Sequence, residues 1–253
     1  MNNKRKYKLL LKLSFFSGVL FLIFSSISMF FYKGGSMWNN PKNVDFYIAN
    51  ESYSHFYNFF SDLGLLYSWS GKYNIISVLF FNLSLLSVAF ELIIFYYAFN
   101  LLLKKNKDVT WLSSLGQFLA ILSAIGFVMV GFTPSDTYHQ LHMVAVNLAF
   151  RSFLIVMLIY TYVIFKTSYI TNYLSVSYFI LFCIVGYYIY VIASGPTLPS
   201  VPYDHIDFQS QLPIKKDLLF HVVSQKLVVY GLTFCTLWQL YELSKNKYID
   251  FVD

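Results

Sequence analysis

Residues 75–103 read IISVLFFNLSLLSVAFELIIFYYAFNLLL, an apolar run interrupted by one charge, Glu91. A helix needs about 20 mainly apolar residues to cross a hydrocarbon core of about 30 Å, and this run exceeds that length. Working outward from it, five more runs also qualify: Leu13–Tyr32, Trp111–Thr133, Leu141–Phe165, Tyr173–Ser194 and Leu218–Tyr241. The runs are continuous, without the alternation of barrel strands, so a β-barrel is excluded. They leave no room for a separate soluble domain. Residues 1–253 are therefore expected to form one all-α, polytopic, six-transmembrane-helix bundle.

Composition agrees. The chain is 57% hydrophobic and 21% aromatic, and only 12% of its residues are charged. A soluble domain carries about 25% charged residues, so an ordinary soluble enzyme is excluded, as is a disordered chain. Cys183 and Cys235 fall inside apolar runs, so neither a disulfide framework nor a Cys-based metal motif is expected. The first run follows a basic start, but its apolar core is too long for a signal peptide and lacks an Ala-x-Ala exit. It reads as a retained anchor.

A net charge of +6 would suggest a nucleic-acid partner in a soluble chain. Here the distribution explains it, and no nucleic-acid partner is expected. Lys4, Arg5, Lys6, Lys8, Lys12, Lys104, Lys105, Lys107, Lys166, Lys245 and Lys247 flank one face of the bundle. Lys33, Lys42, Lys72, Lys215 and Lys216 flank the other. Positive charge stays cytoplasmic, so the expectation is N-in and C-in, in a cell membrane.

That orientation puts His55, His139, His142, His205 and His221 on the outer half, with Asp45, Glu51, Asp62, Asp136, Asp204, Asp207 and Asp217. The inner loops are short and basic. On the outer side, Phe56–Tyr67 reads as an amphipathic stretch lying at the interface, and Pro134–Gln140 as a tight turn. Gly195–Asp217, with four prolines, reads as a rigid, irregular cap.

Phe60-Ser61-Asp62-Leu63-Gly64 precedes a span containing Phe81-Asn82-Leu83-Ser84-Leu85. Gly131-Phe132-Thr133-Pro134 then leads to His142 and Asn147. This pattern resembles the six-helix membrane family catalogued as domain of unknown function 998, over most of the chain. In layout the chain is also loosely similar to the Frag1/DRAM/Sfk1 membrane proteins. The resemblance implies six helices and no established activity.

The residues themselves offer a few anomalies. Gly116, Ala120 and Ala124 recur at four-residue spacing, which lets a neighbouring helix approach closely. Ser77, Ser84, Ser87 and Glu91 share a stripe, where serines serve interhelical hydrogen bonds. Glu91, Arg151 and Lys226 are costly inside a bilayer, at least about 2.5–3.5 kcal/mol each at the centre, and need a partner or a wet cavity. At 1.5 Å per residue, Glu91 lies about 24 Å and Arg151 about 15 Å below the outer starts of their runs. A structural Glu91–Arg151 ion pair is one expectation, and a ligand grip by Arg151 is the other.

His139 and His142 have i, i+3 spacing. With His221 and Asp62 they form a possible metal site or polar mouth, since three imidazoles and a water suit catalytic zinc. The set resembles, in composition only, the membrane hydrolases of the alkaline-ceramidase and progestin-receptor group. That group's closing His-x-x-x-His pair is absent, because Gln225 follows His221. His142 and Arg151 lie about 180° apart on an ideal helix. Lys226 sits off the His221, Ser224, Gln225 stripe and is read as snorkelling outward or lining the pocket.

The leading expectation is an outward-opening polar pocket lined by Asn82, Asn147, Arg151, Gln225 and Lys226, which binds a membrane lipid or small amphiphile without a cofactor. A zinc-assisted lipid amidase or esterase is the alternative, and a small-molecule transporter ranks third.

Overall fold

In a computed structural model, which describes residues 2–36, 51–194 and 215–252, six helices are long and apolar enough to cross a membrane. They are α1 (Asn3–Phe31), α2 (Ile75–Leu103), α3 (Lys107–Phe132), α4 (His139–Phe165), α5 (Asn172–Ser194) and α6 (Lys215–Leu243). A short α7 (Asn246–Ile249) follows. No strand occurs among the described residues. His205, Asp45, Asp204, Asp207, Lys42 and most of the proline-rich cap lie outside them.

The helices pack in chain order, and α1 also meets α6, which closes the bundle. Small residues set the closest approaches. A Cβ on Gly126 would stand 2.5 Å from the Ala149 backbone nitrogen, so α3 and α4 touch backbone to backbone there. Ser123 donates to the Ala149 carbonyl at 2.9 Å across the same seam. Gly116 leaves room for the Tyr160 ring, and Ala120 and Ala124 are fully buried, as the four-residue spacing suggests.

On α1 the buried stripe is Tyr7, Leu11, Ser14, Gly18, Phe21, Ser25 and Ser28. These steps of three and four residues form a seam against α2 that apolar patterning does not reveal, because more than half of its members are small or polar. Ser28 donates to the Ser77 carbonyl at 2.7 Å, and Ser14 to the Glu91 carbonyl at 3.3 Å. On α2 itself Ser77 reaches the Leu63 carbonyl, while Ser84 and Ser87 bond back into their own helix.

Both ends of the chain meet at one end of the bundle. Tyr7 donates its hydroxyl to the Leu243 carbonyl at 3.2 Å, and Lys4 pairs with Asp250 at 3.4 Å. At the opposite end the chain leaves α1 through Gly34 and Gly35, both at φ near +80°, where L side chains are strained. A Cβ on Gly35 would also meet the Ser70 nitrogen at 2.3 Å.

Candidate functional site

Phe56–Tyr67 does not lie along the interface. Residues Phe60–Gly64 form a 3-10 turn that inserts into the mouth of the bundle, burying Phe60, Leu63 and Leu65 and leaving Phe56 and Tyr67 exposed. The reason is local. Asn58 and Asp62 offer side-chain partners to nearby backbone, which favours a tight turn over a surface helix. Asn58 Oδ1 accepts from the Ser54 amide at 2.9 Å, and Asp62 Oδ2 accepts from the Phe59 amide at 3.0 Å. Asn58 Nδ2 then donates to Asp62 Oδ2 at 3.0 Å and to the Gly35 carbonyl at 2.8 Å.

Helix α6 completes this cluster. Gln225 Oε1 accepts from the Phe60 amide at 2.5 Å. Lys226 is 7% exposed; it points inward, donates to the Asn58 carbonyl and lies over the Tyr53 ring at 5.2 Å. Burial rather than snorkelling is therefore its state, because a carbonyl, a ring face and the nearby Asp62 carboxylate all favour a cation there. Burial pushes the Asp62 carboxyl up to about 6, against the opposing pull of Asn58, the Trp69 indole, Lys226 and the Phe59 amide. The same lysine, together with burial, lowers the exposed His55.

Beneath the 3-10 turn lies a cavity of about 60 Å³. Its walls are Phe21 of α1, Phe81, Leu85 and Val88 of α2, Phe127 and Val130 of α3, Val146 and Phe150 of α4, and Val229, Leu232 and Thr233 of α6. Phe60, Ser61 and Gln225 close it at the end facing the polar cluster.

Of the five pocket residues expected from sequence, the structure brings together Gln225 and Lys226 alone. Asn147 donates to the Met143 carbonyl of its own helix at 2.8 Å. Asn82 faces α3, with its buried Oδ1 beside Gly131, and has no hydrogen-bond partner there. Arg151 is exposed, on the stripe that carries Leu141, Val144, Ile155 and Leu158.

The expected Glu91–Arg151 ion pair is not formed. Glu91 is 2% exposed and turned toward α1, where its Oε1 would stand 2.7 Å from a Cβ on Gly18 and has no hydrogen-bond partner. The two residues are on faces of α2 and α4 that look in different directions. As the helical geometry requires, buried His142 and exposed Arg151 oppose each other on α4.

The histidines sit in different surroundings. His142 Nδ1 lies 2.7 Å from the Thr133 carbonyl and must donate, since a carbonyl only accepts. It thereby satisfies a carbonyl at the end of α3, while His139 is exposed. His221 is buried on α6, and Asp62 is engaged in the cluster described above. Among the described residues no three His, Cys, Asp or Glu side chains gather as a metal site.

Sequence reasoning missed Asn58, Tyr53 and Gly35. The available signal was Asn58 four residues before Asp62 in an aromatic stretch, a pair able to cap one turn mutually. No protein family, curated protein or solved structure matches this chain.

Proposed function

We propose that the chain is a membrane protein that binds a lipid-like molecule at its bundle, with the end of an apolar tail in the cavity below the 3-10 turn. The cavity carries this reading: a partly open apolar space lined by five spans, with a hydrogen-bonded polar cluster at one end. Apolar cavities of this kind stay dry and accept apolar guests. Its volume of about 60 Å³ matches about two waters at their liquid share of roughly 30 Å³, so it takes only the end of an acyl chain, the rest of which leaves through the open part of the cavity. No described feature favours the hydrolase or the transporter.

The orientation belongs to the same proposal. Eleven Lys and Arg at the end carrying both termini, against five at the other, make that end cytoplasmic and turn the polar cluster outward. Single cysteines at Ser135 and Asn106, in a background lacking Cys183 and Cys235, should label from opposite sides of intact cells.

Binding is tested with a fluorescent single-chain fatty acid added to the full chain in detergent. Wild type should bind saturably, and Val229→Phe, which fills the cavity from α6, should weaken binding while leaving helicity and thermal unfolding close to wild type. Unchanged binding in a folded Val229→Phe variant would overturn the reading.

A further inference from the structure

A second concave surface lies at the other end of the bundle. Between α1 and the α6–α7 junction runs a groove of about 480 Å³, within the range of small-molecule sites. Its polar lining is Lys8 and Lys12 of α1 with Ser244 and Asn246. Its apolar lining, continuing along α1 toward the middle of the span, is Leu11 and Phe15, faced by Leu240 and Tyr241. Lys8 and Lys12 are both exposed and sit one helical turn apart, so two positive side chains line one groove.

Among the described residues no ion pair neutralises them. No carboxylate lines the groove. The two acids nearest in sequence to its α6–α7 wall are already engaged: Glu242 with Lys245 and Lys247, and Asp250 with Lys4. Lys6, on the same helix, is turned to the Tyr97 hydroxyl and ring. Like charges at i, i+4 repel, and an anion between them reverses that term. An uncompensated positive rim opening onto an apolar trough at the end of membrane-spanning helices fits one ligand shape, a charged head with a hydrocarbon tail.

We infer that this groove is a binding site for an anionic glycerophospholipid. The phosphate is held by Lys8, Lys12, Ser244 and Asn246, and an acyl chain runs along Leu11, Phe15 and Leu240. Lysines near a membrane surface attract anionic lipid, and basic pockets between spans hold such headgroups. The site is separate from the cavity under the 3-10 turn, with which it shares no lining residue.

The test is native mass spectrometry of the full chain in detergent, titrated with phosphatidylglycerol and with phosphatidylcholine. Phosphatidylglycerol should bind more tightly, and the preference should shrink as salt rises. Lys8→Gln with Lys12→Gln should reduce the preference by about 30-fold, from about five-fold per lysine near an anionic lipid. Arg5→Gln with Lys104→Gln removes the same charge at the same end outside the groove and should leave the preference intact. Equal loss in that control would overturn the site in favour of diffuse surface charge. Displacement of the lipid by millimolar inorganic phosphate would overturn the lipid in favour of a plain anion site. Val229→Phe should leave this preference unchanged, so the central cavity and this groove fail independently.

Discussion

Lys226 on α6 and Arg151 on α4 are the two cations deep in the spans, and they sit in opposite surroundings. Lys226 is turned into the bundle, with a carbonyl, an aromatic face and a carboxylate around it. Arg151 faces outward among Leu141, Val144, Ile155 and Leu158. Hydropathy treats the two alike, as single breaks in apolar runs. What separates them is the direction of the helix face, which converts one charge into a tie between α6 and the 3-10 turn and leaves the other outside the fold. The contrast teaches that a charge in a span marks a special position, while its role is set by packing.

The largest expected effect follows from the inward charge. Lys226→Met should remove the donor to the Asn58 carbonyl and leave Asp62 buried with less compensation. The expected cost is about 3–5 kcal/mol, the range for removing one member of a buried charged arrangement. Thermal or denaturant unfolding in detergent measures it. A loss below 1 kcal/mol would dissolve the distinction between the two cations.

Next comes the pH dependence of the same cluster. The folded-state Asp62 carboxyl titrates at about 6, above its ordinary 3.8. Between those values the folded state keeps a proton that the unfolded state has lost, so stability falls as pH rises from about 4 to 6 and levels above that. Two pH units correspond to about 3 kcal/mol. Unfolding measured across this window in wild type and Asp62→Asn should show the slope in wild type and its loss in the variant. Parallel curves would place the titration elsewhere.

The fold was legible because every span is long and apolar enough to declare itself, and α2 begins and ends at the residues its sequence run implies. Helix faces were legible only where small residues recur, as at Gly116, Ala120 and Ala124, because lipid is as apolar as the interior and erases the usual inside-outside contrast elsewhere. On α1 the relation is inverted: Phe15, Phe16, Ile23 and Phe30 are exposed, while Ser14, Gly18, Ser25 and Ser28 are buried. The polar cluster was half legible. Asp62, Gln225 and Lys226 stand out as chemistry-bearing residues, but Asn58 bonds to a backbone carbonyl 23 residues away, and only the folded chain brings that contact about.

The Gly18–Glu91 contact sharpens the same lesson at a smaller scale. Gly18→Ala should cost about 1–3 kcal/mol, the usual range for overpacking, since the new methyl would meet Glu91 Oε1. Glu91→Ala should absorb most of that cost, so the double variant should be more stable than the sum of the single effects predicts. Simple additivity would show that Glu91 is not what fills the space at Gly18.

The smallest effect should come from Arg151, and it tests the comparison from the other side. An exposed side chain with no ion pair or hydrogen bond among the described residues ties nothing together in the fold, and a charge there costs about 2.5–3.5 kcal/mol at the bilayer centre, so its removal brings no loss. Arg151→Leu restores an apolar residue to the stripe between Val144 and Ile155. It should therefore be at least as stable as wild type and bind the fluorescent fatty acid as wild type does, because Arg151 does not line the central cavity. Glu91→Gln combined with it should behave as Glu91→Gln alone, since no ion pair joins the two. A large loss in Arg151→Leu, rescued by Glu91→Gln, would restore the paired arrangement that the sequence suggests and would mean that the outward face of α4 turns inward in the membrane.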